Sequence, residues 1–203
     1  MSVFDIANER RISGIADAVC RLLPDANMSV LDVGCGDGAL ARQIMNRRPA
    51  LAFEGVEVVK PATPRMPISL YDGNTLPCGD GAFDVVLCAD MLHHTTAPFD
   101  LLREACRVAK SYVVVKDHVC NTRTDKILLT SMDWLGNVGK GVPLPFHFLS
   151  SAQWADGFAS LPYAVVRRID AIQYWGWPLC MLVDRRFHFA ALLARAGDRS
   201  GGD

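Results

Sequence analysis

The segment "VLDVGCGDGAL", Val30 to Leu40, constrains this chain more than any other stretch. An apolar run ends in an acid, Asp32. It then passes through glycines at 34, 36 and 38 into a run with helical spacing. A buried strand, a turn almost free of side chains and a helix make one strand–turn–helix unit. Units of this kind assemble into a parallel sheet covered by helices.

The neighbouring sequence supplies more of them. "IANERRISGIADAVCRLL" has helical spacing and stops at Pro24. "GALARQIMNRR" reads as a helix ended before Pro49. "AFEGVEVV", "ISLYDG", "AFDVVLCAD" and "SYVVVKDH" read as strands two to five, with the amphipathic helix "PFDLLREACRVAK" before the fifth. The prolines of "KPATPRMP" exclude a regular helix there. Alternation from Val30 to His118 predicts an α/β fold with a doubly wound, mostly parallel sheet.

Beyond His118 the pattern loosens. Val119 to Ser150 exceeds ordinary loop lengths, as a lid or substrate-binding segment does. Within it "TDKILLTSMDWLGN" reads as a helix, with Thr124 or Asp125 near its cap and Gly136 or Gly139 past its end. "SAQWADGFASL" reads as a further helix. "YAVVRRIDAI" and "LCMLVDRR" read as a closing strand pair joined by a short turn near "YWGWP". The expected organisation is a single domain: an N-terminal helix over 5–23, a core over 28–118, a lid or substrate segment over 119–150, a closing helix and strand pair over 151–190, and a frayed tail over 196–203.

Composition narrows the function classes. Half of the 203 residues are hydrophobic, enough for one core and too few for two. A formal charge of −1 with no basic stripe speaks against a nucleic-acid partner. The seven cysteines stand alone, in no metal-binding spacing, so reduced thiols, a cytoplasmic location and no metal are expected. Arg167, Arg168, Asp170, Asp184, Arg185 and Arg186 interrupt the apolar C-terminal third, so no integral membrane segment is expected.

Ligands of open parallel sheets sit beyond the carboxyl ends of the strands, where strand order reverses, and the loop Gly34–Gly38 lies there. A dinucleotide turn spaces its glycines differently: here the third comes one residue early. Asp32 and Asp37 would also repel a diphosphate, whereas a ligand carrying an ammonium suits them. Glu57, about 20 residues on at the end of the second strand, can accept from ribose hydroxyls. Asp72 can accept from an adenine amino group, with the Gly73 amide meeting a ring nitrogen.

With "GVEVV", "YDGNTLPCGDGAFDVVLCADMLHH" and "LLREACRVAKSYVVVKDH", the glycine segment resembles the class I S-adenosylmethionine-dependent methyltransferases of the type 11 small-molecule group, over about residues 29–118. The resemblance implies a Rossmann-like seven-stranded sheet with an antiparallel closing pair, S-adenosyl-L-methionine as cofactor, and transfer to a small organic or lipid-like acceptor. It implies that Asp32 orients the loop and the methionine ammonium. Gly34, Cys35 and Gly36 would lie against the amino acid part, with Gly38 completing the loop. Glu57 would hold the ribose, Val58 would pack near the adenine, Asp72 and Gly73 would recognise it, and Ala89 would supply backbone. Glu57 stands where the family more often has Asp, and Gly73 where it often has Ala. The rivals are a nicotinamide oxidoreductase, disfavoured by loop spacing and Asp37, and a non-catalytic S-adenosylmethionine-binding module, disfavoured by the intact acids.

The pattern reports the donor and is silent about the acceptor atom. His118, at the carboxyl end of the fifth strand, is the expected general base, with His147 of the lid segment second. His93 and His94 are expected to line the cleft without doing chemistry. Cys35, among acids, is not expected to be a nucleophile. Trp154, Trp175 and Trp177 are expected to pack, and the apolar "KGVPLPFHFL" with the N-terminal helix would roof an apolar acceptor pocket.

Overall fold

A computed structural model describes residues 3–137, 144–170, 172, 174 and 187–195. Helix α1 (Val3–Leu22) precedes β1 (Met28–Val33), α2 (Ala39–Arg47), β2 (Leu51–Glu57), β3 (Ile68–Leu70) and β4 (Phe83–Ala89). A short 3-10 turn (Leu92–His94) leads to α3 (Pro98–Val108), β5 (Ala109–His118), α4 (Arg123–Asn137), α5 (Ser151–Ala159), β6 (Tyr163–Asp170) and β7 (His188–Arg195). The strands form one seven-stranded sheet in the order β3-β2-β1-β4-β5-β7-β6. The first five are parallel, and β7 runs antiparallel to both β5 and β6.

Alternation along the strands builds two cores. Val30, Val85, Leu87, Val114, Ala190 and Leu192 face α1 and α2. Their sequence neighbours Leu31, Val86, Cys88, Val113, Ala191 and Leu193 face α3 and α5. The central strands are thus apolar on both sides, which is why they read as unbroken hydrophobic runs. Trp154 of α5 packs in the second core, and its indole donates to the His118 carbonyl at 2.9 Å, fixing the end of β5. No described helix is long and apolar enough to cross a membrane.

The structure corrects three expectations. The closing strand is β7 at His188–Arg195, past the 190 boundary, and the predicted run Leu179–Arg186 falls outside the described residues, as do Trp175 and Trp177. No short turn joins the closing pair, because residues 171–187 separate the strands. Asp125 stands at the cap of α4 as expected: the Thr122 hydroxyl accepts from the Asp125 amide at 3.1 Å, while the Asp125 carboxylate accepts from the Thr122 amide at 2.9 Å. Of the two glycines expected past its end, Gly136 lies inside that helix and Gly139 lies outside the described residues.

Candidate active site

Strand order reverses between β1 and β4, and the loop after β1 opens there into a cleft of about 1920 Å³. The cleft is lined by Asp32, Gly34, Cys35, Gly36, Glu57, Val58, Asp72, Gly73 and Ala89, whereas Gly38, also expected at the cofactor, is not among the lining residues and faces Met66. Gly34, Gly36 and Gly38 all have positive φ, and the loop amides of Gly34 and Cys35 donate to the Val56 carbonyl. A Cβ on Gly36 would meet no protein atom within 4 Å. That position faces open space where a ligand can approach the backbone. Gly36→Val is therefore expected to abolish binding of S-adenosylhomocysteine in calorimetry, and wild-type affinity in the variant would move the ligand away from the loop.

The acids divide into distinct roles. Asp32 is 2% exposed and its Oδ2 has no hydrogen-bond partner among the described residues. Burial, reinforced by the nearby Glu57 charge, pushes its carboxyl up to about 8. A buried carboxyl with one unpartnered oxygen at the root of the loop suits an ammonium, whose charge would favour the ionised form. Glu57 accepts from the Gly36 amide through Oε2 and from the Val58 amide through Oε1, both at 2.8 Å. It therefore shapes the loop besides lining the cleft. Asp72 is exposed, and its Oδ1 accepts from the Asn74 and Thr75 amides at 2.8 Å, which hold it below the usual carboxylate range.

Asp37 departs from the sequence argument. Its Oδ1 accepts from the Ala39 amide at 3.0 Å at the start of α2, and its Oδ2 pairs with Arg65 at 2.9 Å. Its charge is answered within the protein, so it does not weigh against a diphosphate. Cys35 is buried, and burial with the Asp32 charge raises its thiol far above the ordinary range, which removes it as a nucleophile.

The opposite end of the cleft holds a cluster that sequence reasoning found only in part. Asp117, 1% exposed, accepts from His93 Nδ1 at 2.7 Å, the Leu92 amide at 3.1 Å and the His118 amide at 2.7 Å, and lies 3.2 Å from His118 Nδ1. Burial opposes its ionisation, but the His93 charge and these donors outweigh burial and hold Asp117 well below the usual range. Burial also opposes a charge on His93, yet Asp117 and Asp133 push it up to about 10. Burial and the Lys116 charge lower His118, which keeps that imidazole neutral at neutral pH. Lys116 is fully buried and paired with Asp90, which Arg11 of α1 also reaches at 2.5 Å.

His118 lines the cleft as expected. His147 is not among the lining residues. Its amide donates to the His93 carbonyl and its Nδ1 lies 3.2 Å from the Thr95 carbonyl, so it clamps the lid segment to the 3-10 turn. His93, His94 and Asp133 do line the cleft, together with Leu129, Met132 and Phe148. The pairs "HH" and "DH" at the ends of adjacent parallel strands were a legible signal for the His93–Asp117–His118 contact.

A ligand wall built from a glycine loop, a buried acid and a strand-end glutamate at the switch point defines the seven-stranded S-adenosylmethionine-dependent methyltransferases. The chain belongs to the methyltransferase-domain family, whose profile matches residues 7–184, and S-adenosylmethionine is its cofactor. It is 30% identical over 100 residues to the ubiquinone biosynthesis O-methyltransferase of Albidiferax ferrireducens, a match covering 44% of this chain and 40% of that protein. Its fold is similar to that of the methyltransferase solved with the Trm112 activator of Haloferax volcanii (TM-score 0.70, 16% identity, 92% and 91% of the two chains). It is also similar to the geranyl diphosphate C-methyltransferase of Streptomyces coelicolor, solved with S-adenosylhomocysteine (TM-score 0.66, 15% identity, 90% and 76%).

Proposed function

We propose that this cytoplasmic enzyme methylates a hydroxyl oxygen of a small, largely apolar or lipid-like acceptor. One observation carries the choice of oxygen. A neutral histidine, His118, lines the acceptor end of the cleft with Nδ1 turned to the ionised Asp117. That contact leaves Nε2 as the proton acceptor, which a hydroxyl needs and an amine or thiolate does not. Leu129, Met132, Leu135, Leu144 and Phe148 give this end its apolar character. The partly matching O-methyltransferase relative is consistent with the same chemistry.

The bound cofactor supplies a methyl carbon activated by its sulfonium. Asp32 and the loop amides hold its amino acid end, Glu57 the ribose, and Asp72 with Gly73 the adenine. Residues of α1 and α4 line the same cleft, where they would flank the acceptor and help align it with the methyl carbon. His118 takes the hydroxyl proton as the oxygen attacks. Asp117 fixes the ring.

Three measurements test the reading. Calorimetry should show heat from S-adenosylhomocysteine and none from NAD, and the reverse would make the protein an oxidoreductase. Incubation with methyl-labelled cofactor and a panel of phenols and long-chain alcohols should give O-methyl ethers by mass spectrometry. Label arriving only on nitrogen or carbon would overturn the choice of oxygen. Glu57→Ala should weaken S-adenosylhomocysteine by about 1.5–3 kcal/mol, the value of a charge-assisted hydrogen bond. Unchanged affinity in the folded variant would take the ribose away from β2.

A further inference from the structure

His93 and His94 stand on the turn after β4, and Asp133 reaches the same point from α4. His93 Nε2 lies 3.6 Å and His94 Nε2 3.8 Å from one oxygen, Asp133 Oδ1. The three donor atoms lie within 4.8 Å of one another. These separations are too long for hydrogen bonds. They approach the spacing of ligands on a tetrahedral ion, since bonds of about 2.0–2.1 Å place two ligands about 3.3–3.4 Å apart. The other face of His93 behaves differently: Nδ1 is 2.7 Å from Asp117, a true hydrogen bond that leaves no room for an ion and fixes the ring with Nε2 toward Asp133. A carboxylate on the far nitrogen of a histidine is the usual outer support of a metal ligand. All three side chains are largely shielded, at 4%, 17% and 8% exposure, yet all line the cleft.

We propose that His93 Nε2, His94 Nε2 and the Asp133 carboxylate bind one divalent ion of the zinc class, with its fourth position open to the acceptor end of the cleft. Imidazole and carboxylate donors suit zinc better than magnesium or calcium, which take oxygen ligands in larger number. Three protein ligands with an open position is the pattern of a catalytic site. The occupant of that position rests on the oxygen reading above, whereas the ion site does not. A coordinated hydroxyl loses its proton more readily. The proton passes to His118, the freed oxygen lone pair forms the new bond to the methyl carbon, and the carbon–sulfur electron pair remains on the departing thioether. The rival arrangement is a metal-free imidazolium at His93 held between Asp117 and Asp133.

The test uses the full chain stripped with a chelator, then titrated with zinc against a chromogenic chelator. One zinc per chain is expected, with nitrogen and oxygen neighbours in X-ray absorption at the zinc edge. His94→Ala and Asp133→Asn should each lower zinc affinity by at least about a hundredfold, beyond the 10–100-fold typical of losing an outer-shell partner. S-adenosylhomocysteine affinity should stay at the wild-type value in both, which shows that they fold. Wild-type protein that binds no more zinc than Asp133→Asn would establish the imidazolium arrangement and overturn the site. Sulfur neighbours at about 2.3 Å would place the metal on cysteines and overturn it equally. Failure of the wild type to bind S-adenosylhomocysteine would count against the methyltransfer reading instead, with the zinc titration read independently.

Discussion

Asp32→Asn is expected to stabilise the ligand-free protein while removing most of its affinity for S-adenosylhomocysteine. The folded carboxyl is pushed up to about 8 by burial and by Glu57, whereas an unfolded aspartate ionises near 4. Between about pH 4 and pH 8 the folded state therefore binds more protons than the unfolded state, and stability falls as pH rises. Asparagine has no proton to lose. The variant's advantage should be near zero at about pH 4 and grow to a few kcal/mol by about pH 8, at up to about 1.4 kcal/mol per unit. Thermal melts of both proteins across that range read it directly, and a gap that is constant or shrinks with pH would mean that Asp32 is ionised in the free protein. The binding loss follows from the same group. The ligand ammonium needs the carboxylate, and losing a charged hydrogen bond of about 1.5–3 kcal/mol costs roughly 10–150-fold. Wild-type affinity should also rise toward pH 8, because the proton on Asp32 must leave. An affinity flat over that interval would seat the ammonium elsewhere.

His118→Gln carries the second large effect. Glutamine can still donate to Asp117 but cannot take a proton from the acceptor. With an acceptor in hand, kcat should fall by about 10²–10⁴-fold. KM and S-adenosylhomocysteine affinity should hold, since Asp32, Glu57 and the loop lie at the other end of the cleft. A loss below about tenfold would show that proximity alone drives the reaction. Lowered affinity for the cofactor product, in place of lowered kcat, would make His118 a structural support of the cleft.

The cleft wall of the glycine loop, Glu57 and Asp72 was legible because its determinants are local. The glycine loop, Glu57 and Asp72 each sit at the end of a strand whose apolar run marks it, and parallel order brings those ends together. Asp37 misled for the same local reason: its charge looked free in sequence, and only the return of Arg65 to the loop answers it. The histidine and aspartate cluster at the other end of the cleft is assembled over long separations. Asp133 meets His93 and His94 only because α4 folds back over the cleft, and no spacing rule encodes that. The closing strand was misplaced because "LCMLVDRR" and "HFAALLAR" are both apolar runs of strand length. The second is buried along almost its whole length between β5 and β6. Its alanines have low strand propensity, and sheet burial overrode that.

The position of β7 has a consequence for how the molecule is made. It is synthesised after every other described strand, yet it lies inside the sheet, between β5 and β6. Until it emerges from the ribosome, β5 presents an open edge from Tyr112 to His118, and β6 has no strand neighbour among the described residues. Bare edges of this kind template pairing with other chains. The nascent protein thus carries its aggregation hazard until β7 closes the sheet, and a stop codon before His188 would yield a chain that self-associates although its glycine loop and acids are intact.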